Sequence, residues 1–60
     1  MASIHNVSDK AFNYEFIVAR DVDGELWYWG AYNDLNRIVE VCLELGPCTR
    51  VYRSTDVVAI

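Results

Sequence analysis

Sixty residues, nine acidic against five basic, with a net charge of −4, allow a single domain whose own core supplies only a few kcal/mol of net stability. The acidic balance disfavours a protein that holds nucleic acid by neutralising phosphates, and suits contact with a basic partner, many of which are the nucleic-acid-binding faces of other proteins. Cys42 and Cys48 are too few for a secreted disulfide scaffold, no leader pattern opens the chain, and the apolar runs at 16–19 and 26–29 are too short to span a bilayer, so the reading is a soluble protein of a reducing cytoplasm.

Residues 1–11 show no sustained period and read as an arm or short leading segment in which Ile4 and Val7 can dock. From Phe12 the sequence alternates: Phe12, Tyr14, Phe16 and Val18 fall on one face and Glu15, Ile17 and Ala19 on the other, which predicts a strand over 12–20. Asp23-Gly24 between two such runs predicts a tight hairpin, because both central residues of a type I′ turn need positive φ. The second strand then covers 25–32, with Val22 opposite Glu25, Arg20 opposite Trp27, Val18 opposite Trp29 and Phe16 opposite Ala31. That register makes Phe12, Tyr14, Phe16, Val18, Trp27, Trp29 and Ala31 the core face, and places a cation–π contact between Arg20 and Trp27.

Asn33 or Asp34 offers an N-cap for a helix over 34–45, with Leu35, Ile38, Val39, Cys42 and Leu45 as its apolar stripe and Asn36, Arg37, Glu40 and Glu44 outside. Gly46 and Pro47 stop it. Residues 49–54 read as a third strand, and Val57 to Ile60 as a tail that extends the sheet or packs on a partner. The helical crossover returns the third strand either parallel beside the second or antiparallel beside the first, and the second placement is favoured. The fold class is then α+β: a ββαβ domain with a three-stranded, mainly antiparallel sheet in the order 2-1-3 and one helix packed on one face.

The chemistry-bearing residues do not assemble an enzyme motif. His5 lies in the arm without a placed nucleophile, no glycine-rich phosphate loop occurs, and a zinc site would require Cys42, Cys48, His5 and a carboxylate to converge from unrelated positions; no metal or cofactor is expected. Asp21, Asp23 and Glu25 share the opening of a calcium loop but lack its remaining ligands and flanking helices, so they read as a polar hairpin tip able to touch a basic partner. Cys42 reads as a small core residue. The aromatic set lacks the basic groove of a base-stacking platform.

The second hairpin face carries Ile17, Leu26, Tyr28 and Tyr32 around Ala19 and Gly30, too apolar for an ordinary solvated surface. Three readings fit it: a homodimer face, a site for another protein, or a face covered by the arm or the tail.

The run from Phe16 to Arg20, the turn Asp23-Gly-Glu-Leu-Trp27, the run Tyr28 to Asp34 and a short helix ending at Gly46 resemble small acidic proteins of bacteriophages and mobile elements, among them anti-CRISPR inhibitors. The likeness covers about residues 16–46 and is one of style. These inhibitors share no diagnostic motif, so no functional residue is carried over. The resemblance implies a compact fold that inhibits by blocking a surface, with acidic groups standing in place of DNA.

The functional expectation is therefore a non-enzymatic cytoplasmic inhibitor of a host bacterial cell. It would bind a host protein with a basic surface, such as a CRISPR effector subunit, through Glu15, Asp21, Asp23, Glu25, Glu40 and Glu44. The alternative is a small homo-oligomeric structural or accessory protein that buries the Tyr28/Tyr32 face. A third reading, an antitoxin or transcriptional accessory protein, is weakened by the absence of a basic DNA-binding element.

Overall fold

A computed structural model describes all 60 residues. The chain forms β1 (Ala2–Ile4), a 3-10 turn (Asp9–Asn13), β2 (Phe16–Val22), β3 (Glu25–Tyr32), α1 (Leu35–Leu45), β4 (Thr49–Arg53), a second 3-10 turn (Ser54–Asp56) and β5 (Val57–Ala59). It is a small α+β fold with one helix. The central sheet is antiparallel in the order β3-β2-β4, the expected arrangement.

The hairpin turns at Asp23 (φ 53°) and Gly24 (φ 84°), the pair of positive φ values that a type I′ turn demands. Asp21 reinforces it, its Oδ1 accepting the Gly24 N–H at 3.1 Å. α1 begins at Asp34, whose carboxylate accepts the Asn36 N–H at 2.9 Å, and ends where Gly46 adopts φ 86° and donates to Cys42 O.

The single-sheet ββαβ picture needs correction at both ends of the chain. The arm and the tail are not accessories: β1 and β5 pair in parallel, Ala2 with Val57 through Ile4 with Ala59, as a second sheet. His5 then joins this sheet to the hairpin, donating to Leu26 O at 2.8 Å and accepting from Tyr28 N–H at 2.9 Å. The strand expected over 12–20 starts only at Phe16, because Ser8 caps a turn that takes up Phe12 and Asn13.

The register is as expected from Val22/Glu25 through Arg20/Trp27 to Ala19/Tyr28 and then slips by one, pairing Val18 with Gly30, Ile17 with Ala31 and Phe16 with Tyr32. Trp29 is the extra residue of this bulge. A bulge moves every later side chain to the other face, so Tyr32 packs on the helix side and Ala31 on the arm side. Gly30 accommodates the change: a Cβ there would sit 2.6 Å from the Tyr32 hydroxyl.

The assignment of the core face is corrected as well. Phe12, Tyr14, Trp27 and Trp29 are substantially exposed, whereas Ile17 and Ala19, on the second hairpin face, are fully buried. β2 is covered on both sides. Ile4, Ala11, Ile17, Ala19 and Val57 form one cluster under the arm and β5, and Val18, Ile38 and Val41 form a smaller one under α1. The helix meets the sheet through Ile38 and Val41 flanked by Cys42 and Leu45, leaving the expected stripe members Leu35 and Val39 exposed.

Candidate protein-contact surface

The most concentrated charge lies at the hairpin tip, where a tight turn presents Asp21, Asp23 and Glu25 within five residues. Two of these carboxylates also have internal partners. The second oxygen of Asp21 meets Arg50 Nη2 at 3.5 Å, while Arg50 Nη1 donates to the Pro47 and Thr49 carbonyls at 2.8 and 3.0 Å. Glu25 Oε2 lies 3.5 Å from His5 Nε2, and the His5 ring stacks on Trp27 with centroids 4.6 Å apart and planes at 23°. Asp23, in the turn itself, is exposed with no ion-pair partner.

The other acidic candidates are not brought to this tip. Glu15 precedes β2 at the opposite end of the strand, its N–H donating to Asn33 Oδ1 at 2.8 Å and its carbonyl accepting from Ser54 at 2.9 Å. Glu40 pairs with Arg37 at 3.3 Å on α1, and Glu44 is exposed near the helix end. The expected six-carboxylate surface is thus three separate groups. Three of the five basic side chains are engaged within the chain: Arg37 with Glu40, Arg50 with Asp21, and Arg20 over the Trp29 ring at 5.9 Å. Trp29, not the expected Trp27, takes Arg20, while Trp27 is held by His5.

The second hairpin face is filled from within the chain. Ile17 is fully buried, Leu26 and Tyr28 pack against the cluster of Ile4, Ala11 and Val57, and Tyr32 faces α1. The covering reading describes this face, and Ile17 has no surface to offer a partner. Burial, followed by the neighbouring Tyr32 and Tyr14 phenols, raises the Tyr28 pKa above its ordinary value.

What the sequence reading missed is an apolar line on the flank of α1. Leu35, Val39 and Leu43 recur every four residues and stand 60%, 57% and 79% exposed. The signal was present as Val41, a fourth aliphatic position that turns the buried stripe and leaves these three beside it. A shallow concavity of about 520 Å³ lies between Met1, Ala2, Ser3, Leu26, Tyr52 and Asp56. Cys42 and Cys48 are free thiols, and no three His, Cys, Asp or Glu side chains converge as metal ligands. No helix is long and apolar enough to cross a membrane.

Comparison with protein-family models, with curated proteins and with solved structures finds no match to this chain.

Proposed function

We propose that this chain is a non-enzymatic inhibitor that binds a basic surface of a host protein, and that the hairpin tip makes the contact. The observation carrying the reading is the cluster Asp21, Asp23 and Glu25 on a capped, positive-φ turn of a chain with net charge −4. A tip held by the Asp21–Gly24 hydrogen bond has less conformational freedom to lose on binding, and its carboxylates can engage Lys or Arg side chains that otherwise meet phosphates. The partner class is a cytoplasmic nucleic-acid-binding protein, with a CRISPR effector subunit as the specific candidate.

The test is affinity capture from bacterial lysate at low and high salt, followed by nucleic-acid competition on whatever is retained. The reading requires a retained basic protein that elutes with salt, loses its nucleic acid when this chain binds, and binds an Asp23→Asn/Glu25→Gln variant more weakly. Asparagine tolerates the left-handed conformation at position 23, so the variant tests charge with the turn preserved. Retention indifferent to both salt and these charges would sink the proposal.

A further inference from the structure

The two outer edges of the central sheet are finished differently. His5 occupies the β3 edge at Leu26 and Tyr28, whereas β4 has a neighbour on one side only. Which backbone groups β4 leaves unpaired follows from its ladder. Asp21 N–H donates to Cys48 O at 2.8 Å and Ser54 N–H to Glu15 O at 2.9 Å. In an antiparallel ladder the bonded residues alternate, so Cys48, Arg50, Tyr52 and Ser54 face β2, and Thr49, Val51 and Arg53 face outward. Thr49 N–H is already bonded to Gly46 O at 3.2 Å. The N–H and C=O of Val51 and the N–H of Arg53 have no partner within the chain.

We propose that two copies of this chain pair antiparallel through their β4 edges, with Val51 on the two-fold axis. In this register Val51 and the partner's Val51 exchange both backbone bonds, and Arg53 N–H reaches the partner's Thr49 carbonyl, whose second lone pair is free beside Arg50. All five residues of β4 are paired, and every unpartnered group just named is satisfied.

Charge selects the same register. Arg50 falls opposite the partner's Tyr52, in the close type of pair that suits a cation–π contact, and Arg53 falls opposite the partner's Thr49. The neighbouring bonding-compatible register in one direction sets Arg50 against the partner's Arg50. In the other direction it draws Ser54 of the 3-10 turn into the ladder. Val51, 40% exposed in the single chain, becomes the centre of a continuous six-stranded sheet. Two arginines on a short edge also suit a strand protected from pairing, and that is the outcome to be tested against.

This inference gives the homo-oligomeric alternative a surface other than Tyr28 and Tyr32, and it is independent of the acidic tip. Sedimentation of the intact chain across micromolar to millimolar concentration should show a species of twice 6.9 kDa, with Val51 and Arg53 amide exchange slowing as it forms. Val51→Pro removes an outward N–H that β2 does not use, and should weaken association at least about tenfold. Val51→Lys should do the same by placing like charges on the axis.

A mass of 6.9 kDa at every concentration would overturn both the oligomer and the β4 edge. Association that persists in both Val51 variants, that leaves the Val51 and Arg53 amides unprotected, or that is lost instead in Val39→Lys would retain an oligomer and overturn this interface. The amide measurement needs no variant, so a substitution that fails to fold does not remove the test.

Discussion

β2 is closed on both faces, but the two covers differ in kind. On the arm side, Ile17 and Ala19 are sealed by Ile4, Ala11 and Val57, drawn from both ends of the chain. On the helix side, Val18 meets only Ile38 and Val41 at full depth, and the same side leaves Trp29 and Val51 partly open and the Leu35, Val39 and Leu43 flank bare. The small parallel pair β1/β5 buries two side chains, Ile4 and Val57, as many as the longest regular element does with Ile38 and Val41. In so short a chain, covering a face with two terminal strands places stability in segments that frequently fray, which makes the arm the first element whose removal should matter.

The contrast is broken most directly by cutting one cavity on each side. Ile17→Ala should cost about 2–5 kcal/mol, and Ile38→Ala should fall at the lower end of that range, because neighbours on the more open side can relax into the space. Urea midpoints of the two variants check the order, and a larger loss for Ile38 would reverse the assignment of the better-sealed face. Asp34→Ala should cost about 1 kcal/mol by leaving the first N–H groups of α1 uncapped. Both far-ultraviolet ellipticity and the urea midpoint register that loss, and an unchanged midpoint would mean that packing alone sets the start of the helix.

The hairpin turn and the helix limits were legible because each rests on local chemistry: Asp23-Gly24 for positive φ, and Asp34 and Gly46 for the caps. A helical connection allowed β4 beside either hairpin strand, and its place beside β2 is set by the tertiary fold. The faces were not legible, for two physical reasons. A single bulge at Trp29 reverses the parity of Gly30 to Tyr32, and nothing in alternation alone marks the residue that is skipped. The covering of Ile17 depends on β1 meeting β5, a contact between the two ends of the chain that no local pattern encodes. Of the candidate site, the acidic tip could be read directly, since three of its carboxylates are near neighbours in sequence. The scatter of Glu15, Glu40 and Glu44 needed the tertiary fold.

The arm side also carries a titration that sharpens the comparison. Burial raises the Tyr28 phenol above its usual pKa, with Tyr32 and Tyr14 adding to the effect. The folded state therefore holds this proton more tightly than the unfolded chain. Stability from this group is fully present below about pH 10 and is lost as pH rises through the raised pKa. Tyrosinate absorbance should show one late-titrating phenol that disappears in Tyr28→Phe, and alkaline unfolding of that variant should begin later. A late phenol that survives the substitution would move the assignment to another tyrosine.

The smallest effect is expected on the open flank of the helix. Leu43 is 79% exposed, so Leu43→Gln removes little area from the folded core and should change stability by no more than about 0.5 kcal/mol. A loss above about 1 kcal/mol would mean that Leu43 is covered in solution, and its dependence on protein concentration identifies the cover. A loss that grows with concentration places a second copy on this flank of α1. A loss independent of concentration places the cover within the chain, and then the helix side is as closed as the arm side and the contrast between the two faces of β2 disappears.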